Sequence, residues 1–363
     1  MTVTPGGSDR EALMLACPAC GSQQRHEPGT KSLACTACGA RTAILERTGA
    51  TLVEQPYDDW VHGNTGRQVA SLGGVVMRCE GCHATTEMAE LASVCQFCRG
   101  HLVQVTSPDG VVPPSGVLPF LLDRRQATDA FTAWVTSHRL GIDELTTINA
   151  AESFTSTYLP VWSFSATATT TYEGRRGDRK PVRLPDDRVE MHTEWQDAAG
   201  TVTTRIDSQV VEGRKVSVVQ DRLVRNLSLE GTVPFQPEYL AGHTATRYDR
   251  DPASAFEEVR RAAEKKRIPK DVRDHIGGDR TEVRSALTGY SDVRFALILA
   301  PLWVLTYIAA GKTWQVLVDG RTGEVAGEFP VDGGKLARLL LTWLGKLALV
   351  VVGLAAVVYF FNR

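Results

Sequence analysis

The chain has 363 residues, of which 43% are hydrophobic and 23% charged, and its formal net charge is −2. This composition excludes a wholly disordered or fibrous protein, and the length allows two or three domains with cores of their own. A net charge so near zero also argues against a surface that attracts nucleic acid everywhere, because non-specific phosphate binding is mainly electrostatic.

The N-terminal sequence indicates a cytoplasmic, reduced protein. It begins MTVTPGGSDR, which has neither the basic start nor the apolar core of a secretory signal peptide. All eight cysteines lie before residue 99 and form four C-x-x-C pairs, a distribution that general disulfide cross-linking would not produce. We therefore expect thiolates that bind a metal.

The spacing of these pairs predicts two separate four-cysteine zinc sites. Fourteen residues separate the first two pairs and 12 separate the second two. Two such knuckles can complete a tetrahedron around Zn²⁺, and four cysteines without an open position are typical of a structural site. The predicted ligands are Cys17, Cys20, Cys35 and Cys38 in zinc ribbon 1 (13–48), and Cys79, Cys82, Cys95 and Cys98 in zinc ribbon 2 (70–105).

Other interpretations of the cysteines are weaker. A redox C-x-x-C motif needs a βαβ context that these short segments lack, and an iron–sulfur cluster is the remaining alternative. His83 follows Cys82, but with four cysteines available we expect it to be solvated. Residues 1–105 hold eight basic and ten acidic residues, so a protein-binding or purely structural role is favoured over DNA binding.

A Pro/Gly/Ser-rich stretch at 107–116 predicts a domain boundary. The next segment has apolar residues at helical spacing and predicts a helix over 123–138, capped by Asp123. Residues 154–172 are rich in Thr, Val and aromatic residues and predict a strand, with a turn at Gly174 and Gly177. Further strands are expected near 189–195 and 202–211, with Ala199-Gly200 as a hairpin turn.

The second half of the chain repeats motifs of the first. The pairs are Pro119-Phe120 with Pro234-Phe235, Ala130-Phe131 with Ala255-Phe256, and Pro160-Val161-Trp162 with Pro301-Leu302-Trp303. The helical region at 252–276 should be kinked at Pro269, and a strand meander should follow Pro301. We predict an α+β fold with a duplicated helix-plus-antiparallel-sheet body, divided into 116–230 and 231–333.

The C-terminal sequence predicts a single transmembrane helix at 339–361. Residues 344–361 are apolar apart from Lys346 and would extend about 27 Å as a helix, nearly the thickness of a hydrocarbon core. Lys335, Arg338 and Lys346 precede the span and only Arg363 follows it, which predicts a single-pass protein of the cell membrane with a cytoplasmic N-terminal body.

No catalytic motif is complete, so the chain is not expected to be an enzyme. The sequence AGKT at 310–313 resembles the end of a phosphate-binding loop, but Thr306 stands where the first glycine is required and a strand pattern follows. Residues 260–273 hold seven basic and two acidic residues. This basic stretch could bind anionic lipid, nucleic acid or an acidic partner, or could be only a solvated helix face.

With its paired ribbons, YLPVW at 158–162, the APLW strand and VDGRTGEV at 318–325, the chain resembles the bacterial TFIIB-type zinc-ribbon membrane proteins. The resemblance implies a membrane platform in envelope-stress systems that recruits phage-shock-type membrane-remodelling proteins. We therefore expect a membrane-anchored zinc-ribbon adaptor or scaffold, whose partners are the membrane and other proteins. A zinc-ribbon nucleic-acid-binding protein, a transcription or DNA-processing accessory, is the alternative, although nucleic acid is the less expected partner.

Overall fold

The structure is a computed structural model of the chain. It describes residues 15–45, 52–63, 75–88, 94–105, 112–137, 154–185, 187–214, 218–309 and 312–330, and then 334, 341–346, 349–351 and 353.

The protein is mostly β-sheet. Of the described residues, 47% lie in strands and 24% in helices, so the predicted α+β class with a helix-and-sheet body is wrong. The strands are β1 (Leu15–Ala16), β2 (Gln23–His26), β3 (Ser32–Cys35), β4 (Arg41–Ala43), β5 (Gln55–Pro56), β6 (Val75–Cys79), β7 (Thr85–Met88), β8 (Leu102–Gln104), β9 (Gly116–Val117), β10 (Phe154–Arg183), β11 (Val189–Glu212), β12 (Val233–Pro234), β13 (Thr244–Thr246), β14 (Arg280–Ala309), β15 (Lys312–Asp319) and β16 (Val325–Gly327).

The helices cover the sheet and are shorter than the main strands. They are α1 (Tyr57–Gly63), α2 (Arg124–Ser137), α3 (Val218–Arg225), α4 (Pro252–Ala262) and α5 (Ile268–Ile276), with a 3₁₀ turn at Pro237–Leu240 and a π-helical turn at Ala263–Arg267. The helix predicted at 123–138 is confirmed, and Asp123 caps it by accepting the Gln126 backbone N–H at 2.8 Å.

Ribbon 1 forms its own antiparallel sheet of strands β1 to β4, whereas ribbon 2 belongs to the main sheet. That sheet runs in the order β12-β9-β14-β10-β13-β7-β6-β8, with β11 on β10, β5 and β15 on β14, and β16 on β15. The pairing of β7 with β13 therefore joins ribbon 2 to the body through backbone hydrogen bonds.

Two 30-residue strands, β10 and β14, explain why the fold is mostly β. β10 does not stop at Gly174 and Gly177, which lie inside the strand and not in the predicted turn. Each glycine admits a close neighbour: a Cβ on Gly174 would lie 2.3 Å from the Glu282 carbonyl oxygen, and one on Gly177 would lie 2.7 Å from Thr193 Cγ2.

The reversal comes later, at 184–188, where the Leu184 backbone N–H bonds to the Arg188 carbonyl at 2.8 Å. The predicted turn at Ala199-Gly200 is also wrong, because both residues lie inside β11 and pair with Glu173 and Tyr172 of β10. Beyond the centre of the sheet, β11, β10 and β14 therefore continue together as a long three-stranded blade.

The two long strands have equivalent surroundings. β13 runs parallel to β10 at Thr157 and Tyr158, while β9 runs parallel to β14 at Ile298 and Leu299. Each pair of positions lies five and four residues before the Trp of a Pro-x-Trp sequence, Trp162 in β10 and Trp303 in β14. The short strand of each half therefore pairs with the long strand of the other half.

The helices repeat this equivalence. Trp162 of β10 donates its indole N–H to the Arg250 carbonyl at 2.9 Å, and Trp303 of β14 donates to the Leu122 carbonyl at 3.1 Å. The next residue in each case is an aspartate N-cap, Asp251 for α4 and Asp123 for α2. Each tryptophan thus fixes the start of the helix that precedes the other long strand.

The aromatic residues beside these tryptophans correct the predicted equivalence of Phe120 with Phe235. Phe120 lies 5.4 Å from Trp303 between ring centroids, and Tyr248 lies 4.9 Å from Trp162 in the same way. The structural counterpart of Phe120 is therefore Tyr248 and not Phe235. The buried faces of α2 and α4 pack on clusters around Trp303 and Trp162 respectively.

The expected kink at Pro269 is a widened helical turn. Proline lacks the N–H that would bond to the residue four positions earlier. The Ile268 backbone N–H bonds instead to the Ala263 carbonyl, five residues back, and residues 263–267 adopt the π-helical form. The helical region thus continues through the proline, and α5 packs on the blade through Ile268, Val272 and Ile276.

The C-terminal prediction requires correction. Within the part of the chain that the structure describes, no helix has the length and apolar character needed to cross a membrane. Of the predicted span at 339–361, the described helical residues are 341–346, 349–351 and 353, and the rest lies outside the description. This finding overturns the predicted single-pass location in the cell membrane.

The body's division at 116–230 and 231–333, and the outer bounds given to the ribbons, stay predictions. Residues 106–111 of the expected boundary lie outside the described part of the chain, as does the turn residue Gly311 of the meander. The meander itself follows the expected order, because β14 is succeeded by β15 and then by β16.

Candidate metal centres

Each knuckle is built by the same backbone turn. The residue after the second cysteine takes a positive φ, 73° at both Gly21 and Gly39, 57° at His83 and 61° at Arg99. Its N–H bonds back to the carbonyl of the first cysteine, for example from Gly21 to Cys17 at 2.8 Å. This left-handed turn brings the two sulfurs of a pair to one side, and glycine adopts it without strain.

Ribbon 1 places its four sulfurs at metal-binding separations. The Cys17 and Cys38 sulfurs are 3.7 Å apart, and those of Cys20 and Cys35 are 3.6 Å apart. All four lie within 4.8 Å of one another. A tetrahedron with Zn–S bonds of about 2.3 Å has sulfur separations of roughly 3.8 Å, so the cluster fits a single ion such as Zn²⁺.

Ribbon 2 has the same geometry. The Cys79 and Cys98 sulfurs are 3.4 Å apart, and those of Cys82 and Cys95 are 3.7 Å apart. Three backbone N–H groups point at these sulfurs at 3.4 Å, from Cys82, Phe97 and Gly100. Such donors stabilise thiolates, because a hydrogen bond to the charged form lowers its energy.

All eight predicted ligands are therefore brought together in two clusters that could each hold a metal ion. The identity of that ion stays a prediction. His83, which we expected to be solvated, is exposed, and four sulfurs make up the cluster beside it. Lys312 begins a strand and not a helix, which removes the phosphate-binding geometry from the AGKT sequence.

The thiols within each cluster differ in acidity. A backbone hydrogen bond from Ser22 lowers the pKa of Cys20 to about 6. Burial acts to raise the pKa of Cys79, but hydrogen bonds from the Cys82 backbone and the Cys98 thiol lower it to about 7. Burial raises the pKa of Cys95 to about 12. A bound cation is needed to hold four thiolates so close together, and its binding would release the remaining protons.

Ribbon 1 contacts the body at the end away from its metal cluster. The His26 backbone N–H bonds to the Ala241 carbonyl at 2.9 Å, and that of Gly29 bonds to the Phe120 carbonyl at 2.8 Å. Leu33 belongs to the same buried cluster as Phe120. Cys20 and Cys38 face away and are exposed.

Buried histidines lie at this contact. His243 stacks on Phe120 with ring centroids 4.4 Å apart, and the centroids of the His26 and His243 rings are 6.1 Å apart. Burial lowers the pKa of His243 to about 3, and burial also lowers the pKa of His26. Both rings are therefore neutral near pH 7 and fill the contact as aromatic side chains.

Ribbon 2 contacts the body with its second knuckle. The Thr306 hydroxyl donates a hydrogen bond to the Gln96 backbone carbonyl at 2.6 Å, and the Thr244 hydroxyl donates one to the Gln96 side-chain oxygen at 3.0 Å. Arg99 donates to the Thr306 carbonyl at 3.1 Å, and Gln315 donates to the Phe97 carbonyl at 3.2 Å. The residues between and after the two cysteines thus form part of the interface.

Arg214 connects the body to the metal cluster itself. Its guanidinium lies 4.2 Å from the centroid of the Phe97 ring and 3.8 Å from the Cys82 sulfur. Only 7% of Arg214 is exposed. A buried cation beside four thiolates offsets part of the formal −2 charge of a Zn(Cys)₄ centre. No local pattern in the sequence points to Arg214, because it is 116 positions away from Cys98.

A buried acidic cluster was also missed. Glu212, Asp221 and Glu258 offer oxygens close together. Arg250 bonds to Glu212 at 3.1 Å and to Glu258, while Arg225 bonds to Asp221 at 2.7 Å and to Glu258. Burial, and then the neighbouring Asp221, raise the pKa of Glu212 to about 7. With two guanidiniums already on these carboxylates, the cluster is an ion-pair network between β11, α3 and α4.

Comparison with known proteins gives one distant relationship. The chain is 25% identical over 333 residues to the protein named "Uncharacterized protein YdjG" of Bacillus subtilis (strain 168), covering 90% of this chain and 92% of that protein. No family model matches the chain. No solved structure matches it significantly. The similarity covers most of the chain, and the TFIIB-type membrane family is not confirmed by it.

Proposed function

We propose that the protein is a zinc-stabilised adaptor that binds other proteins, with one structural Zn²⁺ in each ribbon. The observation that carries the proposal is the contact of the second knuckle of ribbon 2 with the body. Four sulfurs close the cluster, and the residues on that knuckle make the interface. A metal held in this way has no coordination position for a substrate and acts by fixing the arrangement of ribbon and body.

The outer surface supports a binding role. Large apolar side chains are exposed on the blade, with 58% of Val189, 58% of Met191 and 80% of Leu287 accessible. Exposed apolar side chains on a rigid scaffold are typical anchors for a partner protein.

The resemblance noted from the sequence suggests which partners to test first. The resemblance to TFIIB-type zinc-ribbon proteins implies that the chain recruits phage-shock-type membrane-remodelling proteins in envelope stress. For this chain that partner stays a prediction.

The adaptor proposal is tested by proximity cross-linking of the full chain in its own cells. We expect specific protein partners to be lost from a Cys79→Ser/Cys82→Ser variant, because its ribbon 2 cannot hold the body in place. The matched control is Cys17→Ser/Cys20→Ser, which changes the cluster that faces away from the body. Failure to capture any protein in the wild type above the background of an unrelated zinc protein would contradict the proposal.

One observation favours the alternative of nucleic-acid binding, namely the run of exposed cations at 260–273. A fluorescence-anisotropy titration with duplex and single-stranded DNA separates the two functions. An adaptor should bind weakly at physiological salt, whereas tight binding with a steep salt dependence would support the alternative.

A further inference from the structure

We propose that the outer face of α5 and the adjoining edge of β14 bind an acidic amphipathic helix of a partner protein. This inference rests on the adaptor function proposed above and names the chemistry of its partner. Its surface, which we call the α5–β14 face, consists of the cleft between α5 and β14 and the cations at 261–273. Of these cations, Lys270 and Arg273 lie on α5, Arg261 lies at the end of α4, and the other three lie in the π-helical turn between the helices.

The cleft is apolar and of suitable size. Its volume is about 450 Å³, and its lining residues are Glu264, Ile268, Pro269, Val272, Arg273, Val283, Ala286, Leu287 and Thr288. Leu287 stands at the rim with 80% of its surface exposed, and Val283 is 40% exposed. A partner side chain such as leucine would cover both, which favours binding because apolar area leaves water.

The same face is strongly basic. Arg261, Lys265, Lys266, Arg267, Lys270 and Arg273 are all exposed. Among the described residues, none of the six has a carboxylate partner, whereas Arg260 pairs with Glu257 and Glu264. Six cations without a local counter-charge create a positive field at the cleft.

The two acids of the basic stretch offset only part of this field, because residues 260–273 hold seven cations and two carboxylates. Glu264 accepts the Tyr290 hydroxyl at 3.0 Å, and Asp271 accepts the Thr204 hydroxyl at 2.6 Å. The carboxylates thus contribute to packing on the blade, and the cations point away. A complementary ligand must therefore bring its own acidic groups.

The combination of cleft and charge selects the occupant. A helix with leucine-like residues at i, i+3 and i+4 places apolar side chains along one stripe, and acidic residues beside that stripe meet the flanking cations. Lys265 and Arg273 each lie about one turn from Pro269, on either side of the cleft. Nucleic acid would use the cations but not the apolar cleft, since its backbone offers no apolar face.

The C-terminal segment of the same chain is not complementary to this face. After Asp332 the sequence contains Lys335, Arg338, Lys346 and Arg363 and no acidic residue. It would therefore be repelled by the cations at 261–273. The occupant is accordingly a partner protein.

The test uses the full chain and a synthetic helix-forming peptide of about 18 residues, with leucines along one face and glutamates beside them. Binding is measured by isothermal titration at low and physiological salt. A peptide of the same composition in scrambled order is the ligand control. We expect the amphipathic peptide to bind at least tenfold more tightly than the scrambled one.

Two variants locate the binding. Leu287→Asp should weaken peptide binding by about tenfold or more, because it puts a charge at the apolar rim. The matched control is Ile308→Asp, which changes another exposed apolar residue of β14 that lies outside this face and should leave the affinity unchanged. Lys265→Glu/Lys266→Glu should weaken binding and reduce its salt dependence, whereas Arg179→Glu/Arg183→Glu, with the same change in net charge, should do neither.

Several outcomes would overturn the proposal. The first is equal affinity for both peptides, and the second is unchanged peptide binding by a Leu287→Asp variant whose melting temperature is also unchanged. The third is tighter binding of duplex DNA or anionic vesicles than of the peptide at this face. The fourth is a wild-type dimer that the Leu287→Asp substitution dissociates. If cross-linking still captures partners from the Leu287→Asp variant, the adaptor function stands and only this face is rejected.

Discussion

The two ribbons share a metal-binding design but contact the body in opposite orientations. Ribbon 1 contacts it through β2 and the loop after it, so that Cys20 and Cys38 are exposed. Ribbon 2 contacts it through the knuckle that carries Cys95 and Cys98, and Arg214 of the body reaches the Cys82 sulfur. The same local motif therefore stabilises only its own ribbon in one case and the ribbon–body interface in the other.

The largest expected difference is in what each metal stabilises. Cys79→Ser/Cys82→Ser should destabilise the body by about 4 kcal/mol or more, because the second knuckle loses its shape and its contacts with Thr306 and Gln315. Cys17→Ser/Cys20→Ser should leave the body nearly unchanged. Hydrogen exchange in β10 and β14 measures the effect, and metal analysis should show about one zinc per chain in each variant. Equal loss of protection in the two variants would contradict the comparison.

Arg214 allows a sharper test of the ribbon 2 contact. Arg214→Ala should lower the free energy of unfolding by about 2–4 kcal/mol, because a stacked cation and a hydrogen bond to a thiolate are both removed. The matched control is Arg321→Ala, because the two arginines have equivalent positions in the sequence. Arg214 comes two residues after the end of β11, and Arg321 comes two residues after the end of β15. Thermal unfolding monitored by zinc release measures both, and a similar loss in the control would assign the effect to the body alone.

Thiol reactivity should also separate the ribbons. With zinc bound, we expect an alkylating reagent to modify ribbon 1 at least about tenfold faster than ribbon 2. Two cysteines of ribbon 1 are exposed, whereas in ribbon 2 two are buried and two are only partly exposed. Mass spectrometry of peptides from timed reactions gives the rates. Faster modification of Cys79 or Cys95 than of Cys20 would reverse the assignment.

The smallest effect concerns the backbone of the knuckles. Ribbon 2 has His83 and Arg99 at the positive-φ positions that glycine occupies in ribbon 1. His83→Gly should stabilise ribbon 2 by up to about 1 kcal/mol, because the strain of a side chain in this conformation is removed. Arg99→Gly should give no gain, because it also removes the hydrogen bond to the Thr306 carbonyl. Denaturant unfolding of the zinc-bound chain compares the two.

The candidate site could be predicted from sequence more completely than the fold. Metal clusters depend on short-range spacing, and a pair of cysteines three positions apart with a turn between them defines a knuckle almost independently of its surroundings. The fold depends on contacts such as those of Gly174 and Gly177. Glycine is typical of both turns and tightly packed strands, so only the neighbours, here Glu282 and Thr193, decide between them.

The sequence by itself therefore determined which eight cysteines form the two clusters, the helix that begins after Asp123 and the order of the final meander, since each follows from local spacing and propensity. Tertiary structure alone decided that β10 and β14 run on for 30 residues, that each short strand pairs with the long strand of the other half, and that Arg214 meets Cys82 across 132 positions. These features depend on contacts between residues far apart in the chain. No local pattern records such a contact, because the free energy that selects it comes from packing both partners together.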